Sequence, residues 1–237
     1  MRPLQQRALQ RTWRQWFDRA LPEKVVCVGL NYADHAAELS LELPSEPLLF
    51  GKFPNALVDP GEPIILPADI GHVDAEAELA IVVGRRSRSV AVADALEVIA
   101  GYVCANDISA RDLQFRESQW LRSKGFDSFC PVSTEIVPVD QVGDARGLRV
   151  VQRLNGVVLQ DSTTDEMIFG VSEILAHVST VFTLEPGDLI LTGTPAGVGV
   201  FRSPKVSLVA GDVVEVEVER IGTLQNPVVA GSGRSSD

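Results

Sequence analysis

Asp74, Glu76 and Glu78 recur at every second position of one short stretch, and a further acid, Asp107, lies in the later run Asn106-Asp107-Ile108-Ser109-Ala110-Arg111-Asp112. In an extended segment alternate side chains share a face, so the first three acids project to one side, with His72 beyond them. Clustered carboxylates at a buried strand need a partner, because unpaired buried charge is costly. A divalent cation is the natural candidate. The same spacing also describes a solvated strand face, and Val214-Glu215-Val216-Glu217-Val218-Glu219 is read here in that way. What separates the two stretches is the unbroken apolar run Leu79 to Val83, which marks a strand covered on both faces.

His35 and Glu38 stand three apart in Asn31-Tyr32-Ala33-Asp34-His35-Ala36-Ala37-Glu38-Leu39, a short helical piece. On one helix face the carboxylate can orient the imidazole and raise its basicity, although an exposed His–Glu pair has the same spacing. Lys52, in the apolar company of Leu48-Leu49-Phe50-Gly51, is either a gatekeeper on an edge strand or an anion holder. Arg111 is either a substrate anchor or half of an ion pair with Asp112. Lys124 is a second isolated lysine, in a loop over 120–127.

The elements that must position these residues are mostly short strands. Lys24 to Leu30 reads as a buried strand, Leu41 to Pro47 as a mobile lid loop, and Asp59-Pro60-Gly61-Glu62-Pro63 as a turn before the strand Ile64-Ile65-Leu66. Val90 to Ala100 is patterned as a helix and Gly101 to Asn106 as a strand that ends at Asp107. Asn155-Gly156 predicts a two-residue hairpin turn. Ser172 is expected to cap a helix running to about Leu184, with His177 a packed helix residue rather than a ligand. Leu9, Trp13, Trp16 and Phe17 share a helical face in an arginine-rich N-terminal segment. A transit peptide has that charge pattern too, but the two tryptophans favour a packed amphipathic helix or an interface arm. The expected organisation is a helical extension over 1–22, a catalytic domain over 23–229 and a disordered tail over 230–237.

The 237 residues carry 21 Lys+Arg against 32 Asp+Glu, a net charge of −11 that repels phosphate backbones and anionic lipid surfaces. Neither nucleic acid nor a membrane is expected as a partner, and no apolar run approaches the ~18 residues of a membrane span. An anionic substrate would have to be held locally. Cys27, Cys104 and Cys130 are odd in number and lack CxxC spacing, which suits a reduced, cytoplasmic protein. No GxSxG, HExxH, GxGxxG or Walker-type sequence is present.

Taken together, Gly29-x-Asn31-Tyr32-x-x-His35, Glu76-x-Glu78, Asn106-Asp107-x-Ser109-Ala110-Arg111-Asp112, Lys124-x-Phe126-Asp127, Met167-Ile168-Phe169 and Thr192-Gly193-Thr194-Pro195-x-Gly197-Val198-Gly199 resemble the fumarylacetoacetate hydrolase family in its single-domain bacterial form. The resemblance implies a mixed β-roll or sandwich with peripheral helices, and a homodimer. It implies that Glu76, Glu78 and Asp107 ligate Mg2+ or Mn2+, hard cations that prefer all-oxygen sites. It further implies that His35 and Glu38 form a water-activating dyad with Lys124 beside it. Arg111, Lys52 and Thr194 would hold the carboxylate or oxo group of a small 2-oxo acid. Two departures are Phe53, where relatives often have Pro, and Ala75 and Ala77, where Tyr and Gly are common. The activity implied is cleavage of a C–C bond in an acylpyruvate or fumarylpyruvate. Isomerisation of 2-hydroxyhepta-2,4-diene-1,7-dioate and decarboxylation of oxaloacetate are alternatives on the same site, and a non-catalytic metal-dependent binder would carry the same residues.

Overall fold

The computed structural model describes residues 8–231. Apolar runs that do not alternate become central strands. β1 (Val25–Gly29) and β6 (Ala77–Val83) are buried along their whole length. They lie in a six-stranded sheet ordered β10 (Val137–Pro138), β7 (Ile99–Asn106), β6, β13 (Leu189–Leu191), β1 and β2 (Leu48–Lys52). Only β1 and β13 run parallel in it.

A five-stranded sheet follows the order β12 (Val157–Thr163), β11 (Arg149–Leu154), β14 (Val213–Val218), β15 (Gly222–Ala230) and β4 (Ile64–Leu66). On β14 the alternation is realised as read. Val214, Val216 and Val218 are buried, while Glu215 and Glu217 lie 2.7 Å from Arg153 on the other face. Asn155 and Gly156 turn β11 into β12 with φ of 52° and 80°, the left-handed pair that a type I′ turn requires.

One core joins the sheets. Ile81, Val83, Tyr102 and Cys104 of the first meet Val150, Val216, Val218 and Leu224 of the second, with Ile174 and Val178 of α6 (Val171–Val181). On its opposite face the first sheet is covered by Leu9 and Trp13 of α1 (Ala8–Phe17), against Cys27, Val82, Leu189 and Leu191. That double cover is why its strands need no polar face. Two small pairs complete the fold, β3 (Leu57–Val58) with β9 (Cys130–Pro131) and β5 (Val73–Asp74) with β8 (Ser109–Ala110). The remaining helices are short: α2 (Ala33–Glu38), α3 (Arg111–Arg116), α4 (Leu121–Lys124) and α5 (Val139–Val142). Mixed sheets with few peripheral helices are the architecture expected.

Several boundaries move. The helix predicted over Val90–Ala100 is only a 3-10 turn, Val92–Glu97, because Ile99 already pairs with Val83 and Gly84 N–H donates to Val98 O. Pairing across the sheet overrides local helix propensity. Ser172 is not a cap. Helix α6 begins at Val171, with Gly170 N–H donating to the Glu173 carboxylate, and it ends at Val181 because Leu184 bonds to Ser87 instead. Lys124 closes helix α4 rather than sitting in a loop. Strand β15 extends to Ala230, and Gly231 N–H donates to Leu66 O, so the expected tail begins later than 230. Positions 232–237 of that tail and 1–7 of the N-terminal extension lie outside the described residues. Within the extension, α1 is docked on the domain: Trp13 Nε1 donates to Gly187 O at 2.7 Å, and the Ala8 and Leu9 amides donate to the Asp59 carboxylate.

Candidate active site

The register of one antiparallel pair assembles the acids. Ala77 on β6 faces Asn106 on β7, so Glu76 and Glu78 flank the level at which β7 delivers Asp107. Asp107 N–H donates to Glu76 O at 3.0 Å, and Asn106 Oδ1 accepts Glu76 N–H at 3.1 Å. Carboxylate oxygens of Glu76, Glu78 and Asp107 lie within 4.8 Å of one another, all three residues buried. Asp74 and His72 do not join this triad.

Three cations surround it. Lys124 Nζ donates to Glu76 Oε2 (2.8 Å), Asp107 Oδ2 (2.7 Å) and Ser109 Oγ (2.8 Å). Arg111 does not pair with Asp112. Its Nη2 lies 2.7 Å from Glu76 Oε1 and 3.3 Å from Asp74 Oδ2, and Nη1 donates to Gln114 Oε1 at 2.8 Å. Lys52 is neither a solvent-facing gatekeeper nor part of the cavity wall. It stands on an edge strand, but its Nζ is buried 2.6 Å from Asp107 Oδ1, an ion contact without hydrogen-bond alignment. The ammonium donates to the carbonyls of Phe129 (2.8 Å), Ile108 (3.4 Å) and Lys124. It props Asp107 from beneath.

Charge is divided unevenly among the acids. Burial pushes the Glu76 carboxyl up, but Lys124 and Arg111 outweigh it and hold the group at about 2. Glu78 is pushed well above the usual carboxylate range by burial and then by the Asp107 and Glu76 charges. Its Oε2 accepts Gly193 N–H at 2.7 Å. Burial lowers Lys124, yet Asp107 and Glu76 more than restore it, so it remains an ammonium. Four buried carboxylates, with Asp74, therefore face three cations, and the undercompensated negative charge rests on Glu78.

His35 and Glu38 meet on α2 as their spacing allows: His35 Nδ1 is 2.9 Å from Glu38 Oε2, while Glu38 Oε1 accepts Gly197 N–H at 3.0 Å. Asp34 fastens this helix by accepting Ser162 Oγ–H (2.6 Å) and Ala196 N–H (3.3 Å). A cavity of about 550 Å3 opens over the acids. His35, Arg111, Lys124 and Thr194 line it, with an apolar wall of Leu39, Leu41, Phe50, Phe115, Trp120 and Phe201. The Thr194 hydroxyl is committed internally: it donates to Ala77 O at 3.0 Å and accepts from Gln160 Nε2 at 2.8 Å. Gly193 must be glycine, since its φ is 97° and a Cβ would come within 2.9 Å of Asn31 Cβ. Gln160 and the aromatic wall carry no sequence signal of their own, and Ser109 stood only as part of the Asn106–Asp112 block. Gln114 had a cue, three residues after Arg111 on a helix.

Carboxylates on and just beyond the strand ends, with only oxygen donors and one of them short of positive charge, fit a hard divalent cation. With an imidazole–carboxylate pair on the same cavity, they form an all-oxygen cluster that could hold a metal ion next to a group able to exchange a proton. Residues 24–229 match the family Fumarylacetoacetate (FAA) hydrolase C-terminal, and the chain belongs to that family. It is 48% identical over 210 residues to the mitochondrial oxaloacetate tautomerase FAHD2A of Bos taurus, covering 88% of this chain and 67% of that protein. Among solved structures it resembles a 2-hydroxyhepta-2,4-diene-1,7-dioate isomerase from Mycobacterium marinum (46% identity, TM-score 0.79, 90% and 76% of the two chains). A fumarylpyruvate hydrolase from Pseudomonas aeruginosa, in complex with Mn2+ and pyruvate, aligns at 31% identity and TM-score 0.81 over 89% and 91%. No helix among the described residues is long and apolar enough to cross a membrane.

Proposed function

We propose that this chain moves a proton at the carbon beside the oxo group of a small 2-oxo acid, with keto–enol tautomerisation of oxaloacetate as its reaction. The observation that carries this reading is His35, on the cavity wall beside the acidic triad, with Nδ1 held by Glu38 so that Nε2 is left to exchange a proton. Likeness to oxaloacetate tautomerases supports the choice of substrate. Arg111 anchors a carboxylate: two Nη2 contacts, one Nε donation and one Nη1 donation leave a single Nη1 hydrogen for substrate. Lys124 places fixed positive charge where negative charge develops. Bound by Glu76, Glu78 and Asp107, a divalent cation, Mg2+ or Mn2+, would supply Lewis acidity toward the oxo acid.

A second reading is hydrolysis of the C–C bond of an acylpyruvate or fumarylpyruvate, with His35 taking the proton of an attacking water. The apolar wall favours the acylpyruvate, whose acyl tail gives Phe115, Trp120 and Phe201 something to cover, whereas oxaloacetate and fumarylpyruvate are polar at both ends. The three buried free thiols suit a reducing compartment, a property that the cytoplasm and the mitochondrial matrix share.

The test is to follow enol absorbance with oxaloacetate, acylpyruvates and the dienedioate as substrates, and to assay pyruvate separately. Enol–keto exchange of oxaloacetate without pyruvate release supports tautomerisation, and pyruvate from an acylpyruvate supports hydrolysis. His35→Ala should cost about 10^2- to 10^4-fold in turnover with folding and Mn2+ binding intact. Parent-level turnover in that variant would remove His35 from the reaction.

A further inference from the structure

Asp74 lies outside the acidic triad, yet its carboxylate is one of the most heavily engaged in the molecule. It is 3% exposed on β5. Its Oδ1 accepts Gly199 N–H at 2.9 Å and its own neighbour's Ala75 N–H at 3.0 Å, and its Oδ2 accepts Val200 N–H at 2.9 Å. The same Oδ2 accepts Nε–H and Nη2–H of Arg111, each at 3.3 Å. Those amides belong to the 3-10 turn Gly199–Phe201. The turn is seated closely: a Cβ on Gly199 would fall 2.1 Å from Val206 O and 2.8 Å from Asp74 Oδ1. Phe201 at its end packs 6.1 Å from the His35 ring and 6.2 Å from Phe115, centre to centre, on the cavity wall.

One carboxylate thus joins the floor of the cavity to its wall. We infer that Asp74 is a positioning residue, fixing the Arg111 guanidinium and the Phe201 turn relative to each other so that an anionic substrate meets both in one geometry. This rests on Arg111 anchoring a substrate carboxylate, as proposed above. The chemistry favours a separate task from metal binding. Three of the five contacts are backbone amides of the turn and of Ala75, and Arg111 has a separate, shorter contact to Glu76 at 2.7 Å. A carboxylate that orients a guanidinium through Nε and Nη2 leaves Nη1 facing outward, toward Gln114 and the cavity.

Asp74→Asn keeps the size and one accepting oxygen while removing the charge that holds Arg111. By calorimetry, the Kd for oxalate in the presence of Mn2+ should rise about 10- to 100-fold, the range for hydrogen bonds to charged groups. The Mn2+ Kd should change less than the oxalate Kd, since Asp74 is outside the triad and reaches it only through the shared Arg111. In turnover the loss should fall mainly on KM. The decisive readout is the double variant: in an Arg111→Met background, Asp74→Asn should add no further loss of oxalate affinity, because the two act as one unit. Full additivity, or a parent-like oxalate Kd in folded Asp74→Asn, overturns the inference. Should Asp74→Asn not fold, Asp74→Glu shifts the carboxylate by one methylene and is expected to raise the same Kd; a parent-like value overturns the inference equally. If the parent binds oxalate but turns over no 2-oxo acid, the proposed reaction fails while the assignment of Asp74 is still decided by the binding data. If the parent binds no oxalate, both fail.

Discussion

Replacing Glu78 by Gln should make the metal-free protein more stable and abolish its stabilisation by a divalent cation. Burial, with the Asp107 and Glu76 charges, raises the Glu78 carboxyl well above its ordinary 4.5. A raised carboxyl pKa means that the folded state prefers the neutral acid, so stability is full below 4.5 and is lost as pH climbs toward the folded value. The loss is bounded because the group can protonate instead of paying for a buried charge. At pH 7, roughly 2.5 pH units above the unfolded value and about 1.36 kcal/mol per unit, the bound is about 3 kcal/mol. Glutamine carries no charge, has nearly the same volume and keeps an oxygen to accept Gly193 N–H. In a domain of this size each kcal/mol moves Tm by about 2–4 °C, so in EDTA at pH 7 the variant should melt up to roughly 6–12 °C above the parent. The two melting curves should converge near pH 4.5. Mn2+ at about a thousand times its Kd would stabilise the parent by about 4 kcal/mol and leave the variant almost unmoved. Calorimetric or dye-monitored melting from pH 4.5 to 8, with EDTA or Mn2+, reads both effects. A variant that melts below the parent in EDTA at pH 7, or that gains as much from Mn2+, would refute the assignment of uncompensated charge to Glu78.

Lys124→Met removes an ammonium that now holds Glu76 and Asp107 at 2.7–2.8 Å. In EDTA it should cost about 3–5 kcal/mol, as breaking a buried pair does, while Mn2+ should bind more tightly than to the parent because its oxygens are no longer shared; weaker Mn2+ binding by calorimetry would contradict this. Trp13→Ala, which empties a fully buried site and deletes the bond to Gly187 O, should cost about 3–5 kcal/mol, roughly 6–20 °C in Tm. An unchanged Tm would mean that helix α1 contributes nothing to the domain.

The strands were more legible in the sequence than the walls of the site. Leu79–Val83 announces a doubly covered strand by failing to alternate, and Asn155-Gly156 announces its turn because both positions need positive φ. The acids and the His35–Glu38 pair could be singled out by spacing, but their roles came only through family resemblance. Glu76/Glu78 and Glu215/Glu217 have the same local pattern, and what separates them is the level at which β7 returns Asp107 beside β6. Lys52 does hold an anion, but the carboxylate is the chain's own Asp107, which no local reading could name. Its buried ammonium is defined by carbonyls 56 to 77 residues further along the chain, which no local window contains. Phe115, Trp120 and Phe201 reach one cavity from separate segments, and Gln160 clamps Thr194 from β12. Helix propensity misled over Val90–Ala100, where Ile99 had a strand partner waiting in Val83.

Electrostatics also bears on the acidic substrate proposed for so acidic a chain. At −11 overall, the protein repels a 2-oxo acid at long range. The site repeats that imbalance in miniature, since Asp74, Glu76, Glu78 and Asp107 exceed Lys52, Lys124 and Arg111 by one charge. Without a further cation, then, the buried cluster offers a dianion no net attraction, and Glu78 meets the deficit by favouring its protonated form. Two added positive charges would reverse the sign of the cluster and leave Arg111 and Lys124 with charge to spare for the proposed substrate. The local field is therefore conditional, and the surface charge need not favour the substrate at all. On this account Glu78 sets the response to a cation, and Asp74 sets the geometry in which Arg111 meets the anion that follows.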